Sequence, residues 1–315
     1  YSLRHRFADE KYDKNDLGFQ RNNNFNDFTG NVSYQIFKPT KHFNSLRVRL
    51  FAGHFRRFEP SVSTGYYTQI AFSATNLKQL SYGLELGTNI GERVDFFEPR
   101  TEGRFWKRNG QFSTEASFSS DFRKRFAFEI GLDYRSRYGT DEYSYELVLA
   151  PRFRVNDKLE FAYGFTLDSS FNQPGYVDTL DDDSIIFGVR QNDQIENSFS
   201  GKYNFNDKSS ISLSFRHYWS TVAYQEQYYE LGDDGYLMPH PYDEDNDVNF
   251  NNWNLDFRYV WQFTRGSELV ALYRNSIQSE DNRSNLSFGE NLTDLLEQPN
   301  GHLLSIKLIY FLDYN

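Results

Sequence analysis

The constraint that dominates this sequence is a two-residue alternation of apolar and polar side chains, repeated almost from end to end. Between Asn252 and Thr264 one parity reads Trp253, Leu255, Phe257, Tyr259, Trp261, Phe263, and the other reads Asn252, Asn254, Asp256, Arg258, Val260, Gln262, Thr264. A strand turns successive side chains to opposite faces, so such a segment has one greasy and one wet face. The same period runs through Ile211–Trp219, Leu159–Leu167, Phe126–Tyr134, Tyr143–Phe153, Tyr82–Ile90 and Leu304–Leu312. Fainter versions lie around residues 1–8, 27–38, 44–58, 64–74, 111–120, 194–205 and 267–278. No 3.6-residue pattern competes, so the expectation is an all-β chain without helices. It has about 14 strands, most near the roughly 9 to 11 residues that cross a bilayer at a steep tilt.

The connections supply an independent sign. Short polar links sit at residues 38–41, 75–78, 120–124, 156–157, 206–208 and 264–266, and between them come mostly longer ones at 9–26, 97–110, 169–184, 221–249 and 279–301. Residues 59–63 and 139–142 are short exceptions. Short turns on one side and long loops on the other are the habit of up-and-down outer-membrane barrels, whereas a soluble sandwich has no reason to sort its loops by side. The expected topology puts the long loops outside and both termini on the opposite side.

Composition narrows the field further. The 31 Phe, 23 Tyr and 4 Trp make the chain 18% aromatic, which excludes disorder. Its mean hydropathy is nevertheless −0.74, and no run approaches the roughly 18 apolar residues of a membrane helix. A net charge of −10 argues against a nucleic-acid binder. With no Cys, disulfide frameworks, thiolate metal sites and cysteine nucleophiles are excluded together. Tyr1–Phe7 hold neither an initiator Met nor the apolar centre of a signal peptide. The expectation is a single domain over residues 1–315, processed or forming the C-terminal part of a longer precursor.

Energetics assign the two faces. Lipid accepts alternating Phe, Leu and Trp without hydrophobic cost, while in water such faces would need a second layer to cover them. Trp219, Trp253, Phe257, Tyr259 and Trp261 are therefore expected to face lipid or its interfacial girdles. The opposite parity carries Arg47, Arg49, Glu129, Arg135, Glu146, Arg152, Arg154, Arg216, Asp256 and Arg258, which need water or partners and are expected to line a lumen. Basic residues outnumber acidic ones among these positions, so an open lumen would be net positive.

Chemical centres are sparse. The histidines (His5, His42, His54, His217, His240, His302) are scattered, and His302 and Ser305 fall on opposite parities, a poor dyad. Asp243, Asp245 and Asp247 imitate the first three ligand positions of a calcium loop, but Val248 replaces the glycine of position 6 and Asn254 the glutamate of position 12. These acids are expected first as solvated loop residues beside lipopolysaccharide, and only second as a calcium site. No other cofactor and no catalytic residue is expected.

Several stretches carry a family resemblance: Lys14–Phe19 with Asn22–Asn24, Glu98–Gly103, Phe215–Ser220 followed by Tyr228, Tyr229 and Leu231, Arg265–Ser267, and the ending Leu308–Tyr314. They resemble the C-terminal barrel of a Bacteroidota family of unknown function, in which a module similar to family-9 carbohydrate-binding domains precedes the barrel. The resemblance implies a transmembrane antiparallel β-barrel in the outer membrane of a Gram-negative bacterium. It transfers no catalytic residues. The expected role is non-enzymatic, a channel or transport-type barrel or a membrane anchor for a periplasmic module. The alternative is a non-conducting structural or accessory subunit of a larger envelope complex. The expected partners are outer-membrane lipid, lipopolysaccharide and other envelope proteins.

Overall fold

The computed structural model describes residues 1–13 and 23–312; Lys14–Phe19, Asn22, Asp313 and Tyr314 of the resemblance lie outside them. Alternation becomes long strands: β1 (Ser2–Ala8), β2 (Phe25–Ile36), β3 (Phe43–Arg56), β4 (Ser63–Asn76), β5 (Ser81–Ile90), β6 (Arg93–Asp95), β7 (Trp106–Arg108), β8 (Gln111–Ser119) and β9 (Phe126–Arg137). They continue as β10 (Tyr143–Arg154), β11 (Leu159–Thr179), β12 (Ile185–Asn206), β13 (Ser209–Leu231), β14 (Leu237–Pro239), β15 (Val248–Thr264), β16 (Ser267–Asp281) and β17 (Gly301–Ile309), with one helix among the described residues, α1 (Phe288–Glu297).

A single antiparallel meander joins β1-β2-β3-β4-β5-β8-β9-β10-β11-β12-β13-β15-β16-β17, with β14 added to β13 and β6–β7 standing apart as a hairpin. Neighbours in sequence are neighbours in space, so the connections fall alternately on two sides. One side carries short turns, such as Arg265-Gly266, where Gly266 takes a φ of +74° that a side chain would resist. The other carries the 91–110, 232–247 and 282–300 connections. Both ends of the meander emerge on the short-turn side.

Directly opposed residues in an antiparallel pair share a face, so the register fixes the faces without reference to hydropathy. One row runs Val48, Phe72, Leu84, Ala116, Leu132, Leu147, Leu167, Ile195, Trp219 across β3 to β13. A lower one runs Leu213, Phe257, Tyr273, Leu304 across β13 to β17. Apolar parity is thus unbroken across the sheet. Among the described residues most of that face has no covering layer: Leu50 is 54% exposed, Leu132 52%, Ile306 68% and Leu304 75%.

The structure corrects three expectations. The stretches 169–184 and 221–249 are largely strand, because β11, β12 and β13 continue well past the length a bilayer needs. Their far ends bury Ile185, Phe187 and Leu231 against Trp106 of β7, with Tyr176, Tyr229 and Leu237 packed around them. This is the compact apolar core, and it pays for the extension by burial outside the alternating region. The chain also contains a helix. Ser287 accepts from the Glu290 amide while Glu290 reaches back to the Ser287 amide, a capping box in Ser287-Phe-Gly-Glu290. Finally, Trp219 lies on the apolar parity but is only 8% exposed, covered by Phe288 of α1 at 5.7 Å and donating to Asn249 Oδ1 at 2.8 Å. A short helix docked over the strand ends covers the apolar face there.

Candidate functional site

The polar face carries the chemistry. By register it holds Arg47, Arg49, Glu129, Arg135, Glu146, Arg152, Arg154, Arg216, Asp256 and Arg258 together. Trp253, Phe257, Tyr259 and Trp261 occupy the opposite face with Trp219. Many of the charges are paired: Asp256 accepts twice from Arg274 at 2.6 Å, Arg216 meets Glu196 at 2.6 Å, Arg154 meets Glu160 at 3.2 Å and Arg135 meets Asp133 at 3.1 Å. Bidentate geometry makes the first of these the most directional.

Register also assembles a feature that linear reading misses. Glu85, Glu115, Asp133, Glu146 and Asp168 stand directly opposite one another on β5, β8, β9, β10 and β11, a row of carboxylates across adjacent strands. Like charges so placed are destabilising. Arg49 at 3.8 Å and Gln69 offset Glu85, and Arg135 offsets Asp133. Glu115 and Asp168, together with Glu196, narrow the basic excess of the face.

Toward the long-connection side, the same face turns basic and is roofed. The 91–110 connection leaves β5 and returns to β8; β6 packs against β4, and the far part of the connection reaches β11 to β14. Arg104 donates to the Leu231 carbonyl at 2.6 Å and meets Asp233 at 3.5 Å; Glu98 accepts from the Tyr176 amide at 3.0 Å; Tyr236 donates to Glu92 at 2.7 Å. The Lys107 amide donates to the Gly235 carbonyl at 2.8 Å. A Cβ on Gly235 would come within 2.5 Å of the Phe105 ring, so glycine permits this approach. Since β9 and β10 lie between β8 and β11, the connection crosses over them.

Beneath it lies a cavity of about 220 Å³, bordered by Arg93 and Arg108 of the hairpin and by Arg135, Arg137, Glu142, Ser144, Asp168 and Gln173 of the wall. Glu142 is held by Arg108 and Arg137, each at 2.6 Å. Arg137 also donates to the Asn109 carbonyl at 2.6 Å and to Gln111 at 3.2 Å. Arg108 stacks 4.1 Å over the buried Trp106 ring, and its Nε is buried without a hydrogen-bond partner among the described residues. Burial lowers the Arg108 pKa from the ordinary guanidinium value, with Glu142 opposing and Arg137 adding to the shift. Burial and then Arg137 do the same to Arg93.

The acidic loop is built differently from a metal site. Asp247 accepts from the Tyr224 amide at 2.7 Å and from Ser284 at 2.5 Å, and Asp245 accepts from Asn282 at 2.6 Å, so these carboxylates tie the loop to β13 and to the 282–300 connection. Asp243 is exposed and does not converge with them. Among the described residues no group of three or more His, Asp or Glu is gathered as a metal-ion site. His217 is buried between Trp253 and Phe288, with Asn251 at 3.3 Å, and serves packing.

Residues 1–315 match the family model described as Domain of unknown function (DUF5916). No curated protein and no solved structure matches the chain.

Proposed function

The chain belongs to the DUF5916 family, and from that premise we propose that it forms the wall of a transmembrane β-barrel in the outer membrane of a Gram-negative bacterium, with its polar face lining a path for small polar solutes. The observation that carries this reading is the uncovered apolar face, continuous by register from β1 to β17. Its height suits a bilayer. From Trp253 to Phe263, β15 rises about 33 Å at ~3.3 Å per residue and, at a tilt near 45°, about 23 Å along the normal, against an apolar band of about 25 Å. The polar face then meets water, and the inward-folded 91–110 connection narrows the path on the long-loop side. Bacteroidota origin and an upstream periplasmic module belong to this same proposal.

The ion pairs across the polar face and the ties that hold the 91–110 connection over it favour a second reading, a stiffened barrel that anchors a periplasmic module or serves as a non-conducting subunit of an envelope complex. Reconstitution of the detergent-purified protein into planar bilayers separates the two. The expected result is stepwise conductance that rises several-fold when residues 94–107 are replaced by a short Gly-Ser link. Absence of conductance in both forms would overturn the passage reading in favour of the anchor. Recovery of the protein outside the outer-membrane fraction would overturn the barrel itself.

A further inference from the structure

We propose that the cavity beneath the 91–110 connection binds a small zwitterion, a solute carrying a carboxylate and an ammonium group close together, as amino acids and short peptides do. This goes beyond passage: equilibrium binding is read without conductance, so either reading can fail alone. The lining leaves charges of both signs unmatched. On the hairpin, Arg93 has no ion pair within 4.0 Å among the described residues, and the buried Arg108 Nε has no partner although Arg108 Nη2 holds Glu142. On the wall, Asp168 makes no hydrogen bond or ion pair among the described residues, and Glu146 stands directly opposite it.

Leaving half-buried charged groups unmatched is costly, and a ligand that supplies both signs relieves both sets together. A simple anion would satisfy Arg93 and Arg108 but would lie against Asp168 and Glu142. A simple cation would satisfy Asp168 but would lie among the guanidiniums of Arg93, Arg108, Arg135 and Arg137. A carboxylate turned to the hairpin and an ammonium turned to Asp168 fit the arrangement. The remaining lining, Ser144 and Gln173 among it, offers neutral hydrogen-bonding groups to a peptide backbone. The volume of about 220 Å³ leaves room for several water molecules that such a solute would displace.

Calorimetric titration of the intact protein in detergent tests this with glycylglycine, acetate and ethylammonium at matched ionic strength. Quenching of Trp106, which lies under Arg108, gives a second readout. Glycylglycine is expected to bind roughly tenfold or more tightly than acetate or ethylammonium. Asp168→Asn is expected to weaken glycylglycine by roughly tenfold while leaving acetate unchanged or stronger, and Arg93→Gln to weaken both. Loss of one ligand with the other retained or strengthened in the same variant is not produced by misfolding, and Asp168→Asn removes a charge that faces Glu146. Equal binding of acetate and glycylglycine, an Asp168→Asn variant with unaltered selectivity, or no saturable signal from any of the three probes would overturn the proposal.

Discussion

Placing arginine at Phe257 tests the face assignment where it is most exposed to failure. Phe257 lies near the middle of the Trp253–Phe263 span of β15, is 44% exposed, and is flanked on its own face by Leu213 and Tyr273. Trp261 lies on the same face about 13 Å further along the strand, hence about 9 Å along the normal at a tilt near 45° and close to the edge of a band about 25 Å tall. Compared with alanine at the same site, arginine should therefore cost about 2–4 kcal/mol at 257 and about 0–1 kcal/mol at 261. Ser214, on the neighbouring strand and the polar face opposite Asp256, should accept arginine within about 0.5 kcal/mol. Guanidinium titration of reversible folding into phosphocholine vesicles reads all three. Equal costs at 257 and 261, or a cost at 214 matching that at 257, would refute the assignment of lipid to the apolar face.

Asn251 and Asn291 are each 1% exposed and exchange hydrogen bonds at 2.8 and 2.7 Å. Asn291→Leu should cost about 1–3 kcal/mol and shift Trp219 emission to the red as α1 loosens, both read in one denaturant titration. Glu115→Gln relieves opposition to Glu85 and Asp133 and should raise stability by about 0.2–1 kcal/mol per relieved pair in the same assay. In the Ser120–Lys124 turn, hydrogen bonds from Arg123 hold Asp121 at about 2, below the ordinary carboxylate value near ~3.9. Its contribution to stability is therefore complete above about pH 4 and is lost as pH falls toward about 2. Asp121→Asn should lack that segment of the stability–pH curve.

The strands of the meander were legible because one face of each is uniformly apolar, and period two is a local property. What escaped was whatever depends on contacts between distant segments. Alternation fades near 169–184 and 221–249 because the extended ends of β11 to β13 are buried against Trp106, and burial from both sides erases a one-sided pattern. The signal for α1 was present in Ser287-Phe-Gly-Glu290, but a helix this short shows little periodicity. Parity alone assigns Trp219 to the apolar face, and parity cannot reveal that a connection more than sixty residues downstream folds back over it. The carboxylate row is the clearest case. Glu85, Glu115, Asp133, Glu146 and Asp168 are unremarkable in sequence, and only register brings them side by side.

The edges of the sheet make the last demand. β1 and β17 end the strand order, so among the described residues each leaves the backbone donors and acceptors of one edge without a strand partner. In lipid each unsatisfied group costs several kcal/mol, which is why spanning sheets are closed. A wall of this length with free edges is thus incompatible with the bilayer that its apolar face calls for, and the proposed barrel requires both edges to be hydrogen-bonded, to each other or to further strands. Native-state hydrogen exchange of the membrane-inserted protein decides the matter. Amides of β1 and β17 should be protected to the same order as those of β9 and β10. Exchange of alternate β1 or β17 amides at the rate of the connecting loops would show open edges, and the closed-barrel reading would fall with them.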